Sequence, residues 1–402
     1  MTTTPAAGDA RGVQRRVLIG LIGFLTLVDL FAAQAILPTL ARTYDVAPSA
    51  MGVAVNASTI GMAAAGLVVA LISHRLPRRG GIWVSLALLA IPTVLLAHAP
   101  DLATFTALRV AQGVFMSAAF TLTMAYLSEQ NSGAATAAAL AAYITGNVAS
   151  NLVGRLISSA VASTAGIAIN FYAFAALNLA GAALVWLTLS SAPAMAATVS
   201  AMRLSPLARL AAHFSNRCLV ASFGIGFCVL FAFLGVFTYV NFVLAAPPLG
   251  LSPMALGLVY FVFLPSMLTT PLAGGLAERF GPRPTFFASL GLAIAGLPLL
   301  LAGTVAPVIA GLTVVGVGTF FAQATATGFV GRAARADRAA ASGIYLASYY
   351  LGGLAGAWAI GQLYDRAGWG PAVAVVGAAL LAAAALAATL RPATAGVRVA
   401  VA

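Results

Sequence analysis

The chain has 402 residues, of which 62% are hydrophobic and 7% charged, with a mean hydropathy of +1.03. A soluble domain needs roughly 25% charged residues to cover its surface, so water is not the main solvent here, and low-hydrophobicity disorder is equally excluded. The net charge of +12 does not point to nucleic acid: the basic residues form no stripe, lack interleaved stacking aromatics, and sit in short gaps between apolar runs.

Apolar runs long enough to cross a bilayer number twelve. They cover 17–40, 50–72, 81–98, 102–127, 134–162, 165–190, 218–244, 252–276, 284–304, 306–330, 340–363 and 371–391. The first follows a polar arm ending Arg15-Arg16, shows no signal peptidase site and reads as an uncleaved anchor. All twenty basic residues are arginine. Arg42 and Arg366 fall in one alternate set of gaps, Arg109 and Arg155 inside spans, and every other arginine in the opposite set. By the positive-inside rule the richer set is cytoplasmic, which puts both termini in the cytoplasm.

Within the first span, Asp29 is the only acidic residue in any span, followed by Gln34 and Leu37-Pro38. After the second span the chain reads Ala70-Leu-Ile-Ser-His-Arg75-Leu-Pro-Arg78-Arg79. Span four carries Arg109-Val-Ala-Gln112-Gly113, with an arginine at a depth where it needs a partner or a wet cavity. Span five carries Gly146, Ser150, Asn151, Gly154 and Arg155. The Gly146 and Gly154 spacing suits close helix packing at an interface between halves. For Arg155 three readings stand: cavity lining, a structural bond, or snorkelling outward, the last two preferred. The polar segment 191–217 then divides the chain into halves 1–190 and 218–402. Span seven holds Tyr239 and Asn241; Cys218 and Cys228, ten residues apart on it, lie about 15 Å apart along a helix and cannot form a disulfide. After span eight comes Gly274-Gly-Leu-Ala-Glu278-Arg279-Phe-Gly281-Pro-Arg283, a second copy of the earlier loop in the same place of its half. Span ten holds Gln323, and span eleven Tyr345, Tyr349 and Tyr350. His74, His98 and His213 are scattered and suggest no metal site.

The two loop copies resemble the cytoplasmic signature of the major facilitator superfamily. Glu278, Arg279, Gly281 and Arg283 keep its register, whereas in the first copy Arg75, Arg78 and Arg79 remain without the acid. Arg109-x-x-Gln112-Gly113 resembles the superfamily's span-four motif. Asp29 with Leu37-Pro38 resembles the first-span motif of the twelve-helix drug/proton antiporter branch, from whose span-five element Ser150, Asn151 and Arg155 depart. A looser resemblance is to the bacterial arabinose-efflux-like permeases. The resemblance implies an all-α integral membrane protein with twelve transmembrane helices in two pseudo-symmetric six-helix halves and a cytoplasmic linker. It implies a central cavity lined by spans one, four, seven and ten, hence Gln34, Gln112, Tyr239, Asn241 and Gln323 as substrate contacts; the alternative for each is a bond between helices. The loop residues are expected to latch the inner gate by pairing across the halves, although the first copy reads equally as a positive-inside anchor.

The expected function is a proton-coupled secondary transporter of the bacterial inner membrane, a monomer with no cofactor, whose partners are protons, lipid and a small-molecule substrate. No phosphate loop is present, so an ion gradient is the expected energy source. Export of a drug-like solute or metabolite is the first reading; import of a small organic anion held by Arg109, and perhaps Arg155, is the second. A lipid-modifying enzyme is not favoured, because nucleophile, base and metal groups do not converge at one membrane face. Counted from the span ends at 1.5 Å per residue, Asp29 and Arg109 reach a similar depth of a core roughly 30 Å thick. Two roles stay open for them: a coupling-proton carrier tuned by an arginine, or a permanent pair joining two helices.

Overall fold

The structure is a computed structural model that describes residues 7–72, 76–130, 133–190, 211–334 and 338–390. In lipid every backbone polar group must be satisfied within its own segment, and the described residues are accordingly helical. In chain order the first six rods are α1 (Ala7–Ala35), α3 plus α4 (Pro48–Asn56, Ser58–Ile72), α5 (Arg78–Leu96), α6 (Leu102–Glu129), α7 (Gly133–Ala165) and α8 (Ile167–Thr188), with a short α2 (Leu37–Thr43) after α1. The next is α9 (Arg217–Ala245). The eighth runs Pro253–Phe280 as α10 (Pro253–Val259), α11 (Leu264–Thr269) and α12 (Ala273–Phe280), joined by two tighter 3-10 turns. Then come α13 (Pro282–Gly296), α14 (Val305–Ala333), α15 (Arg338–Ala367) and α16 (Trp369–Thr389). Ten of these rods are long and apolar enough to cross a membrane. The other two, α7 and α15, are 33 and 30 residues long.

The helix boundaries follow from local chemistry. Asp101 caps α6 by accepting from the Thr104 N–H at 2.7 Å, which holds its carboxyl below the usual carboxylate range. Asn216 caps α9 through the N–H groups of Cys218 and Leu219, and Ser252 caps α10 through that of Ala255. Proline divides the rods where its missing N–H breaks the ladder. Pro38 sits in the first turn of α2, so the span expected over 17–40 ends as a long helix at Ala35. Pro265 and Pro271 segment the eighth rod.

Rods one to six pack mainly on one another, α1 along α7, α4 along α6 and α5 along α8. Rods seven to twelve do likewise, α9 along α15 and α16, α13 along α14. The two groups meet along two seams, α3 and α4 against α15, and α7 against α10. Gly146 and Gly154 belong to neither seam. A Cβ on Gly146 would run into the Gly20 carbonyl oxygen and one on Gly154 into Val28, so both glycines seat α7 on α1 within the first half. That corrects the interface role expected for them; the seam is made by the opposite face of α7.

The end of the bundle at which α1 begins is called here the near end, and the other the far end.

Candidate functional site

Arg109 on α6 is 1% exposed in the core of the first half. Five acceptors meet its five N–H donors. Its Nε donates to the Val55 carbonyl at 2.9 Å, Nη1 to the Asp29 carbonyl at 3.2 Å and Gln112 Oε1 at 2.7 Å, and Nη2 to the Leu30 carbonyl and Ser58 Oγ, each at 3.2 Å. The Val55 carbonyl is available because the second rod breaks at Ala57. A Cβ on Gly113 would strike the Ser58 carbonyl, so α6 lies close enough to α4 for this reach. Arginine thus uses its fork to tie three rods through backbone oxygen.

The Asp29 carboxylate is not the partner of that guanidinium. Gln112 stands between them: its Nε2 donates to Asp29 Oδ1 at 3.2 Å, and its Oε1 accepts from Arg109. Thr93 of α5 has two acceptors for its one hydroxyl proton, Asp29 Oδ1 at 3.3 Å and the Leu89 carbonyl at 2.8 Å, and Thr93 Oγ1 accepts from Gln112 and from Asn178 of α8. Asp29 is 4% exposed and its Oδ2 has no partner. The permanent side-chain pair that sequence left open is therefore replaced by a relay across four rods. Thr93 and Asn178 complete it, and nothing in their sequence neighbourhood marks them.

A cavity of about 420 Å³ lies between the halves. Its wall takes Leu30 and Phe31 from α1, Phe120 from α6, Asn147 and Asn151 from α7, Phe233 from α9, Thr270 from the eighth rod, Phe320 and Gln323 from α14, and Tyr349 and Tyr350 from α15. On α6, α14 and α15 these positions fall toward the near end, and on α7 Asn147 and Asn151 flank the middle of the helix. Of the five expected substrate contacts, Gln323 lines the cavity. The other four are spent between helices. Gln112 belongs to the relay. Gln34 donates to Asn56 Oδ1 at 2.6 Å and accepts from Arg155. Tyr239 donates to the Ala357 carbonyl at 2.5 Å. Asn241 donates to the Gln34 carbonyl at 3.3 Å and accepts from the Tyr260 hydroxyl at 2.6 Å. The physical reason is depth: these four lie beyond the cavity, where the far end is closed and a polar group without a partner is costly. The far-end closure also includes Asn56 Nδ2 to Thr238 Oγ1 at 3.0 Å, Ser159 Oγ to the Pro253 carbonyl at 2.6 Å, and Ser49 N–H to Asp365 Oδ2 at 3.3 Å.

Arg155 does not snorkel. It is fully buried, with Nη2 donating to Gln34 Oε1 and its guanidinium packed against the rings of Phe31, Tyr260 and Phe263. Position 155 is several turns from either end of α7, out of reach of an interface.

At the near end Arg75 lies outside the described residues. Arg78 is 4% exposed and forks onto Glu129, Nε to both carboxylate oxygens at 3.1 and 3.0 Å and Nη2 to Oε1 at 2.5 Å. Arg79 donates to the Trp186 carbonyl and Arg283 to that of Ala388. Glu278 and Arg279 are exposed, Arg279 stacking on Phe280 at 5.1 Å, and Gly281 turns the loop with φ of +88°. The bonds from Arg78 to Glu129, Arg79 to Trp186 and Arg283 to Ala388 thus lie within one half rather than across the two. Glu129, the acid the first loop copy lacks, comes from the end of α6. Glu129→Gln would leave a buried guanidinium short of its counter-ion. It is expected to destabilise the protein by about 1–3 kcal/mol, read as a lower thermal midpoint in detergent.

The major facilitator superfamily model matches residues 19–262 and 227–401 of the chain. An uncharacterized MFS-type transporter of Bacillus subtilis, YybF, is 25% identical over 331 residues, covering 82% of this chain and 81% of that protein. The inner membrane transport protein YnfM of Escherichia coli is 27% identical over 347 residues, 86% and 83%. Among solved structures, a bacterial homolog of the human lysosomal transporter Spinster, inward-facing and unoccupied, superposes with a TM-score of 0.71 at 15% identity over 94% of each chain. The nucleoside transporter NupG gives 0.73 at 15% identity, over 94% of this chain and 99% of the other. An all-helical bundle with ten apolar crossing rods, a cavity between two groups of six and a superfamily match over nearly its whole length make this chain a member of the major facilitator superfamily, a multi-pass membrane transporter.

Proposed function

We propose that the chain is a proton-coupled secondary transporter of the bacterial inner membrane that exports a small organic solute by alternating access. The near, arginine-rich end is cytoplasmic in this reading, and the linker 191–217 joins halves 1–190 and 218–402 on that side. One observation supports it above the others: Asp29 is buried with an unpartnered carboxylate oxygen inside a relay that reaches four rods. An ionised oxygen with no partner is expensive at membrane depth, so the carboxyl favours taking a proton whenever the relay is sealed. Gln112 and Thr93 respond to that charge directly, and Arg109 responds through Gln112 and the α1 carbonyls. Protonation thereby alters how α1 sits against α5 and α6. Since Leu30 and Phe31 of α1 line the cavity, the proton and the solute act on the same helix. Glu278, Arg279 and Arg78 serve the near-end gate once the halves close there.

Reconstitution in proteoliposomes with an imposed pH gradient tests both coupling and direction. Solute should move against the direction of proton flow and stop when the gradient is collapsed with an ionophore. Movement along with protons would reverse the reading to import. Flux indifferent to the gradient would remove proton coupling altogether.

A further inference from the structure

Arg155 is the cation that the relay leaves out. Arg109, its counterpart in burial, has an acceptor for each of its donors. Arg155 has one bond, to Gln34 Oε1, while its Nε and Nη1 have no partner. No carboxylate pairs with it; among the described residues the ion pair present is Arg78–Glu129. The rest of its surroundings is aromatic. Its guanidinium carbon lies 4.1 Å from the Tyr260 ring centre, 5.1 Å from Phe31 and 5.2 Å from Phe263. Rings lower the cost of a buried cation but accept no N–H bond in the plane of the fork. A buried charge without a counter-ion costs several kcal/mol in general, so its retention calls for a use.

The position supplies one. Phe31 both faces the guanidinium and lines the cavity. On α7, Asn151 and Asn147 sit one and two turns from Arg155 toward the near end, about 6 and 12 Å along the axis. Both line the cavity, and neither amide oxygen nor nitrogen has a partner in either residue. The i, i+4, i+8 spacing puts the three side chains on one face. That face is a polar stripe leading from the cavity to an unpaired cation, in a mostly apolar wall whose other polar side chains are threonines, tyrosines and Gln323.

We propose that Arg155 is the anion subsite of the cavity, that Asn147 and Asn151 guide an acid group toward it, and that the substrate is an organic anion with an apolar body. The inference rests on the transporter reading and narrows its substrate class. Arg109 has no part in it, since its donors are consumed. An acid group can meet either Nε or Nη1 together with Nη2, the paired geometry a guanidinium fork favours, and so gives an acceptor to one of the two nitrogens that lack one. The apolar body fills a volume within the range of small-molecule sites.

The test uses purified full-length protein and a panel of naphthoate, phenylpropanoate, indole acetate and decanoate, each beside its primary amide. Thermal stability in detergent reports binding and tracer flux into proteoliposomes reports transport. At least one acid should raise the midpoint where its amide does not. Arg155→Gln should weaken that response about tenfold or more, and should raise the midpoint of the unliganded protein by removing an uncompensated charge. Arg155→Lys should keep part of the response. Asn151→Asp places a carboxylate one turn from Arg155 and should abolish the response with the fold intact, so the inference stays testable if Arg155→Gln does not fold. An acid response that survives in folded Arg155→Gln or Asn151→Asp, equal responses to acids and amides, or no acid response across the panel would each overturn it. Loss of acid preference with proton-driven flux of neutral solutes preserved overturns this inference alone. Acid binding without any gradient-driven flux instead overturns the transporter reading.

Discussion

Asp29→Asn is expected to abolish proton-driven transport while leaving a folded protein that still binds and exchanges its solute. The amide has the shape of the carboxylate, and its oxygen can keep the bonds from Gln112 and Thr93 that now reach Oδ1. What it loses is the ability to gain and release a proton. Gradient-driven flux should fall about a hundredfold, whereas counterflow without a gradient should stay within about threefold of wild type. Stability should hold or rise, because an oxygen able to carry charge gives way to a neutral amide nitrogen in the same partnerless place. Asp29→Leu is the control: it also deletes the acceptor of the relay and should lower the thermal midpoint. Flux measurements with equal amounts of folded protein decide between the roles. Gradient-driven flux in Asp29→Asn equal to wild type would end the proton-carrier reading and leave Asp29 a structural member of the relay.

Much of this was legible in the sequence, and the limits have physical causes. The rods were readable because lipid imposes a length and an apolar run on each segment, so the expected spans and the observed helices agree closely apart from the breaks at Ile36, at Ala57 and in the eighth rod. Asp29 and Arg109 stood out because charge inside a span is rare. Their mutual geometry was not readable. Whether an arginine meets a carboxylate, a glutamine or a set of carbonyls depends on where a neighbouring helix breaks, and the break at Ala57 has no proline or paired glycine to announce it. Cavity residues were assigned by helix, but depth decides: Gln34 and Gln323 are on helices expected to line the cavity, and only the second lies at the open level. Asn147, Asn151 and Arg155 form a visible i, i+4, i+8 series. The family resemblance presents Asn151 and Arg155 as departures from a glycine-rich element and does not touch Asn147, so the shared helix face becomes visible only once α7 is packed against the cavity.

Gly52→Leu should prevent closure of the far end and cut transport sharply. Tyr239 of α9 is the bolt of that closure. Its ring is fully buried, and its hydroxyl donates to the Ala357 carbonyl of α15. It fits there because two glycines flank it: a Cβ on Gly52 of α3 or on Gly361 of α15 would collide with the Tyr239 hydroxyl. Tyr364 stacks on the same ring at 5.8 Å and Phe242 at 6.3 Å, so the ring cannot yield by turning aside. The bonds from Asn56 to Thr238 and from Ser49 to Asp365 close the same seam, and a leucine wedged at position 52 would part them. Overpacking a filled site costs about 1–3 kcal/mol, which shifts a two-state equilibrium by about fivefold to over a hundredfold. The penalty falls on the far-closed state alone, since separated halves leave room for the side chain. Transport requires both states and should drop at least about tenfold, with little loss of folded protein. A cysteine at Thr238, in a background with Cys218 and Cys228 replaced by serine, reports the state directly. It should be nearly inert to a membrane-impermeant maleimide when the seam is closed and should react readily from the far side when Gly52→Leu is added. Tyr239→Ala in the same chain makes space for the leucine and should restore protection. Unchanged labelling in a folded Gly52→Leu protein would show that the seam does not depend on this fit, and that the far end is closed by the polar bonds alone.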